Sequence, residues 1–155
     1  MIALHIVDTR HVVGSNKLSL ENTKDQSMSA KIRLKQLLGH YAVAQLPHDE
    51  AIPSWADGDG FVSISRTDDE LSVVCRQERI PKQIKSDDGW TCFKFVGPFE
   101  FGESGIILSV IRPLSESRMG VFVVATFDGD VLLLKASDVP RAQILLREAG
   151  HSFDE

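Results

Sequence analysis

The chain has 155 residues, 43% of them hydrophobic and 25% charged, and its 17 Lys and Arg against 22 Asp and Glu give a formal net charge of −5. That is apolar material for one ordinary core or two very small ones, and the acidic balance offers no electrostatic footprint for a nucleic-acid backbone. No apolar run approaches the roughly 18 residues of a membrane span, and the opening MIALHIVDTRHVV lacks the basic, apolar, small-residue order of a secretory signal. A cytoplasmic location is expected, with neither a nucleic acid nor a membrane as partner.

Residues 1–35 read as an N-terminal arm, poorly ordered, because VGSNKLSLENTKDQSMS is polar and carries neither helical nor strand periodicity. Met28 is a candidate start, with the residues before it then a misread extension. From Tyr41 the pattern sharpens. Tyr41 to Leu46 is strand-like, a short helical turn is expected around Asp49 to Trp55, and Phe61–Ser65 with Leu71–Cys75 forms a hairpin. Pro81 to Ile84 is at most a helical turn, and Trp90 to Val96 is another strand. Cys75 and Cys92, the two cysteines, each sit within an apolar β-rich run and not in a C-x-x-C pair, which predicts buried free thiols.

Gly105 then opens a helix through about Ser117, with Ile106, Ile107, Val110, Ile111 and Leu114 on its apolar stripe. Pro113 inside it has no N–H to give the Ser109 carbonyl and should bend the helix. Val121–Ala125 and Val131–Lys135 form a second hairpin. Ser137 or Asp138 caps the last helix, Pro140 is tolerated in its first turn, and Gly150 ends it.

The two hairpins repeat one another. FVSISRTDDELSVV at 61–74 aligns with VFVVATFDGDVLLL at 121–134, apolar on apolar and turn on turn, at an offset of sixty residues. A proline-led segment follows each copy, at Pro81 and at Pro140. The second copy reads strand, helix, strand, strand, helix, with its last strand missing or supplied by the other copy, which is the split βαβ pattern. Helices can cover only one face of such a sheet, so a second sheet or a second chain must close the other face or an edge. A homodimer is expected on that ground.

Two turns could carry chemistry. Phe101-Gly102-Glu103-Ser104-Gly105-Ile106 leads from a strand into a helix N-terminus through two glycines, where unpaired N–H groups suit a carboxylate. Glu103 beside it could meet an ammonium or guanidinium. Thr126-Phe127-Asp128-Gly129-Asp130 joins two buried strands, and Asp130, at the start of the second, could turn inward toward Gly105 and hold a cation. The plain alternatives are a glycine-containing helix entry in the first case and ordinary turn chemistry in the second. Catalysis finds little support: His5, His11, His40, His48 and His151 lie near no cysteine or paired carboxylate at ligand spacing, and no G-x-S-x-G, P-loop or G-x-G-x-x-G occurs. Neither an enzyme nor a metal or cofactor is expected.

The run GESGIILSVIRPLSESRMGVFVVATFDGDVLLLKASDVPRAQILLREAG, with DDELSVVC in the first copy, resembles the ACT domain, and within it the branch of the CASTOR-type arginine sensors and their small bacterial tandem relatives. In the second copy the glycine turn, the Pro113-Leu114 pair, the Thr126-Phe127-Asp128 turn and the strand from Asp130 occur in the family's order. Ala125 stands where the family commonly has a serine. The resemblance implies an α+β fold of two tandem ferredoxin-like βαββαβ units, about 41–97 and 98–153, with sheets covered by helices on one face. It also implies a noncatalytic regulatory module that binds a small amino acid between units and acts on a regulated partner protein. The pocket it implies comprises Glu103, Ser104, Gly105 and Ile106, then Gly120 and Val121 facing them from a partner unit, then Thr126, Phe127 and Asp130. A dimeric interaction scaffold with a degenerate pocket is the competing reading, and a small enzyme the third.

Overall fold

The computed structural model describes residues 30–97, 99 and 104–154, together with the backbone of 3–6. The fold is α+β: one nine-stranded sheet among the described residues, with two α-helices. The strands are β1 (Ala3–Ile6), β2 (Arg33–Gln36), β3 (Tyr41–Leu46), β4 (Ser63–Arg66), β5 (Leu71–Arg76), β6 (Lys85–Val96), β7 (Val121–Ala125), β8 (Asp130–Lys135) and β9 (Ser152–Asp154); the helices are α1 (Ile106–Glu116) and α2 (Val139–Glu148).

The twelve-residue strand β6 organises the molecule. On one edge β2 and β3 lie end to end against it, with Leu37 N–H donating to the Cys92 carbonyl between them, and on the other edge β8 pairs with Trp90 to Lys94. The first unit runs β3, a 3-10 turn at Ser54–Ala56, β4, β5, a 3-10 turn at Gln77–Arg79, then β6. Its strands lie in the order β6-β3-β5-β4, fourth, first, third, second, which is the split βαβ arrangement with each helix reduced to a single turn. The second unit runs β6, α1, β7, β8, α2, β9 and retains both helices.

A last strand does follow the second copy, contrary to the sequence reading. It pairs with β2, parallel, because β2 already occupies the edge of β6 that β9 would otherwise take. The segment 1–35, set apart as an arm, therefore ends in two core residues: Ile32 and Leu34 are buried in the larger core. Ala3–Ile6 pairs antiparallel with β7.

Alternation along the strands sends side chains to two faces. Phe93, Phe95, Val121, Val123, Leu132 and Leu134 face the helices and pack with Ile106, Val110, Ile111, Leu114, Ala142 and Leu146. The opposite face of the same strands, with Cys92, Phe122, Val124, Val131 and Leu133, packs with Tyr41 and Val74 of the first unit. Buried residues of both units form one cluster on this face, the one expected to be closed by a second sheet or a second chain. The outer face of the first unit (Ala44, Leu71, Val73, Cys75) is covered by Trp55, Ala56, Ile80 and Ile84 of the loops.

The two hairpins correspond, but at 59 residues and not sixty. Thr67 N–H donates to the Glu70 carbonyl and Thr126 N–H to the Gly129 carbonyl, so Thr67 and Thr126 open equivalent turns. Ladder partners Arg66 and Leu71 then match Ala125 and Asp130. The slip matters because one residue exchanges the faces of a strand. Asp130 occupies the position of Leu71, which is wholly buried.

Pro113 leaves the Ser109 carbonyl without its helical donor, as its sequence position predicts, and the structure supplies another. His151, 4% exposed, accepts the Ile32 N–H at Nδ1 (3.1 Å) and places Nε2 3.0 Å from the Ser109 carbonyl. Because Nδ1 is an acceptor, the proton is on Nε2 and is donated to Ser109. One neutral imidazole thus ties the chain before β2, the middle of α1 and the start of β9 together.

Candidate functional site

Gly105 carries φ +86°, a left-handed conformation that a side chain disfavours, and turns the chain into α1. Among the described residues no side chain caps this helix start, and the first intrahelical bond is from Ser109 N–H to the Gly105 carbonyl. The N–H groups of the first turn are left to solvent or to an anion, at the positive end of the helix dipole. Ser104 and Gly105 are exposed, whereas the Ile106 side chain is buried in the core below. Glu103, with Phe101 and Gly102, lies outside the described residues.

Strand direction brings this turn and the β7–β8 hairpin tip to one end of the sheet. β6 runs toward it, α1 runs away from it, and β8 begins there. A Cβ added to Gly129 would lie 3.5 Å from the Phe95 carbonyl oxygen and 4.0 Å from the Phe99 ring, so the hairpin tip sits against the end of β6. Asp130 shares its face with Leu132 and Leu134, the helix-covered one, and so looks toward the start of α1. It is half-buried, and burial pushes its carboxyl pKa up from the ordinary value. No ion pair or side-chain hydrogen bond engages it among the described residues.

The remaining candidates divide. The Thr126 hydroxyl donates to the Gly129 carbonyl and is used within its own turn. Phe127 is 83% exposed at the tip, on the side away from the helices. Gly120 is exposed and Val121 buried at the far end of β7, about 13 Å from Ala125 at the usual strand rise of about 3.3 Å per residue. Within one chain they do not meet the Gly105 turn.

Cys75 and Cys92 are free and buried; burial raises both thiols, that of Cys92 to about 12, which leaves neither with thiolate character. The described residues contain no cluster of His, Cys, Asp or Glu suited to a metal, and none of their helices is long and apolar enough to cross a membrane.

The sequence reading missed a groove of about 740 Å³ at the Val96 end of β6, lined by Lys35, Leu37, Lys94, Phe95, Phe99, Phe127, Asp128 and Asp154 among others. The signal was present in the alternation Leu34-Lys35 and Phe93-Lys94-Phe95, but it requires knowing that β2 pairs with β6.

Comparison with known proteins assigns residues 85–148 to the ACT domain and residues 39–83 to a separate family of N-terminal domains. No curated protein matches the chain. Among solved structures, a Vibrio cholerae protein of unknown function, VC0802, described as a possible transport protein, is 15% identical at a TM-score of 0.64, with 77% of this chain and 91% of that one covered. The aspartate kinase of Clostridium acetobutylicum is 13% identical at a TM-score of 0.54, over 76% of this chain and 34% of that one. These two likenesses concern the fold. Protein Atu0741 of Agrobacterium tumefaciens is 58% identical, with a TM-score of 0.78 over 81% of this chain and 93% of that one, and the chain belongs to its family as an ACT-domain protein.

Proposed function

We propose that this protein is a cytoplasmic, noncatalytic regulatory module that binds a small amino acid at the glycine turn of its ACT domain, as its resemblance to the arginine-sensor branch implies. One observation carries the reading: a helix start after a left-handed glycine, uncapped among the described residues, lies at the same sheet end, and on the same face, as a half-buried carboxylate with no cation paired to it among them. The first-turn N–H groups suit the ligand carboxylate, and Asp130, with Glu103, suits its cationic end. A homodimer completes the site, since Gly120 and Val121 can face the turn only from a second copy. A regulated partner protein reads the occupied state.

The test is a thermal-shift screen of the twenty amino acids, followed by calorimetry on any hit. A ligand at a hundred times its Kd stabilises the native state by about 2.7 kcal/mol. Asp130→Ala is expected to abolish the heat of binding. If no amino acid at millimolar concentration raises Tm, the dimeric scaffold with a degenerate pocket takes its place.

A further inference from the structure

Lys35 of β2 and Lys94 of β6 are direct cross-strand partners on the face away from the helices. Cβ atoms of such pairs stand about 4.5–5.5 Å apart, and like charges so placed destabilise the pairing. Neither ammonium has an ion pair or hydrogen bond among the described residues. The nearest acid in the row, Asp154, is the ladder partner of Lys35 on β9, but it is held by Arg33 at 3.3 Å. On the other side Lys94 faces Val131, which is buried. The row across the sheet therefore reads Asp154, Lys35, Lys94, Val131: an acid paired with Arg33, two exposed cations without an ion pair among the described residues, then a buried apolar residue.

These two cations line the groove of about 740 Å³ beside Leu37, Phe99 and Phe127, and so do the carboxylates of Asp128 and Asp154. Both lysines are exposed, and among the described residues neither is paired with a carboxylate although Asp128 and Asp154 line the same groove, so an anion bound there would relieve the repulsion of two facing cations beside aromatic side chains. Water and salt can screen such a pair from outside, but the apolar neighbours favour a counter-ion that has an apolar part of its own.

We propose that this groove is a second binding site, for a small organic anion whose carboxylate or phosphate bridges the ammonium groups of Lys35 and Lys94 while its apolar part lies against Leu37, Phe99 and Phe127. The site is distinct from the amino-acid site proposed above. Lys94 and Asp130 lie on opposite faces of the sheet, since Lys94 alternates with the helix-facing Phe93 and Phe95, and Asp130 shares the face of Leu132.

The experiment measures Tm of the full chain with phenyl phosphate, inorganic phosphate and phenylacetate, each against sodium chloride of matched ionic strength. Phenyl phosphate or phenylacetate is expected to raise Tm by about 2–4 °C or more above the chloride control, the shift that 1 kcal/mol of ligand stabilisation gives a domain of this size. A larger effect of phenyl phosphate identifies a phosphate ligand, a larger effect of phenylacetate a carboxylate, and inorganic phosphate acts less than either. Lys94→Met removes one of the two facing charges, melts at or above the wild-type temperature at low salt, and loses the anion-dependent shift. Asp130→Ala retains it, which separates this site from the amino-acid site. The proposal is overturned if neither organic anion exceeds chloride, if inorganic phosphate alone matches phenyl phosphate, or if the shift survives in Lys94→Met.

Discussion

The two halves of the sheet carry the same strand order, save that β2 stands between β6 and β9 in the second, but are covered by different means. In the second half, α1 and α2 lay apolar stripes on the sheet and satisfy their own backbone groups. In the first, residues 47–62 cross the equivalent face as irregular chain, and their carbonyls need donors from elsewhere. Two arginines provide them: Arg66, at the end of β4, donates to the carbonyls of His48 and Glu50, and Arg79, in the 3-10 turn after β5, to that of Asp59. Gly58 and Gly60 let the loop close over these side chains, since an added Cβ would come within 2.5 Å of an Arg79 guanidinium nitrogen in one case and 2.6 Å of the Tyr41 hydroxyl in the other. A helix can therefore be exchanged for a loop on the same sheet topology if side chains of a strand and of the turn beside it supply the lost hydrogen bonds. The half that kept its helices also kept the uncapped helix start on which the proposed amino-acid site depends.

The largest expected effect strikes the helix-covered half. Leu34 is wholly buried in its core, and Leu34→Ala should cost about 2–5 kcal/mol in a chemical denaturation experiment. A near-neutral result would mean that β2 is only a loose addition. His151→Phe comes next. It leaves the Ile32 N–H and the Ser109 carbonyl without partners, at about 1–3 kcal/mol each. Pro113→Ala restores a helical donor to Ser109, so the cost of His151→Phe should fall by about 1 kcal/mol in that background. Equal costs in both backgrounds would deny the coupling between proline and histidine.

The loop-covered half is probed by Gly60→Ala. This residue has φ +89° and lies against Tyr41, whose hydroxyl accepts the Phe61 N–H, so a loss of about 1–3 kcal/mol is expected. The same substitution at the exposed Gly120, where an added Cβ meets nothing within 4 Å, is the control.

The smallest effect concerns Asp130. Its pKa is raised in the folded state by burial, so the native state binds more protons than the unfolded state between the unfolded and folded values, and stability falls as pH rises through that window. Asp130→Asn should consequently raise Tm at pH 7, and the gain should shrink as pH falls to the unfolded value and below. A gain that persists unchanged in acid would point to packing and not charge.

Much of this was legible in the sequence because it is local. The hairpins, the two helices and the glycine turn that opens the first of them at 105 follow from alternation, periodicity and turn chemistry over a few residues, and the missing donor at Ser109 follows from Pro113 alone. The partner that repairs it, His151, lies 42 residues away, and no local pattern links the two. β2 escaped notice because four residues alternating between charged and apolar, at the end of a polar stretch, carry little signal until pairing with β6 fixes which side is buried. The hairpin alignment erred by one residue because both registers match apolar to apolar; the threonines opening the two turns decide it. For the proposed site, the glycine turn and Asp130 could be named from sequence, but that Gly120 lies at the opposite end of its strand is a matter of chain direction.

Because β6 belongs to both units, the boundary between them is a strand and not a linker. Tandem modules usually communicate by hinging, which needs a few residues free to change their backbone angles. Here β3 pairs with β6 between Lys85 and Trp90, β8 with Trp90 to Lys94 and β2 with Phe93 to Val96, so a swing of one unit against the other would have to break strand pairing. Whatever an occupied site does to one of them must pass to the other as a change in the twist or register of a single continuous strand.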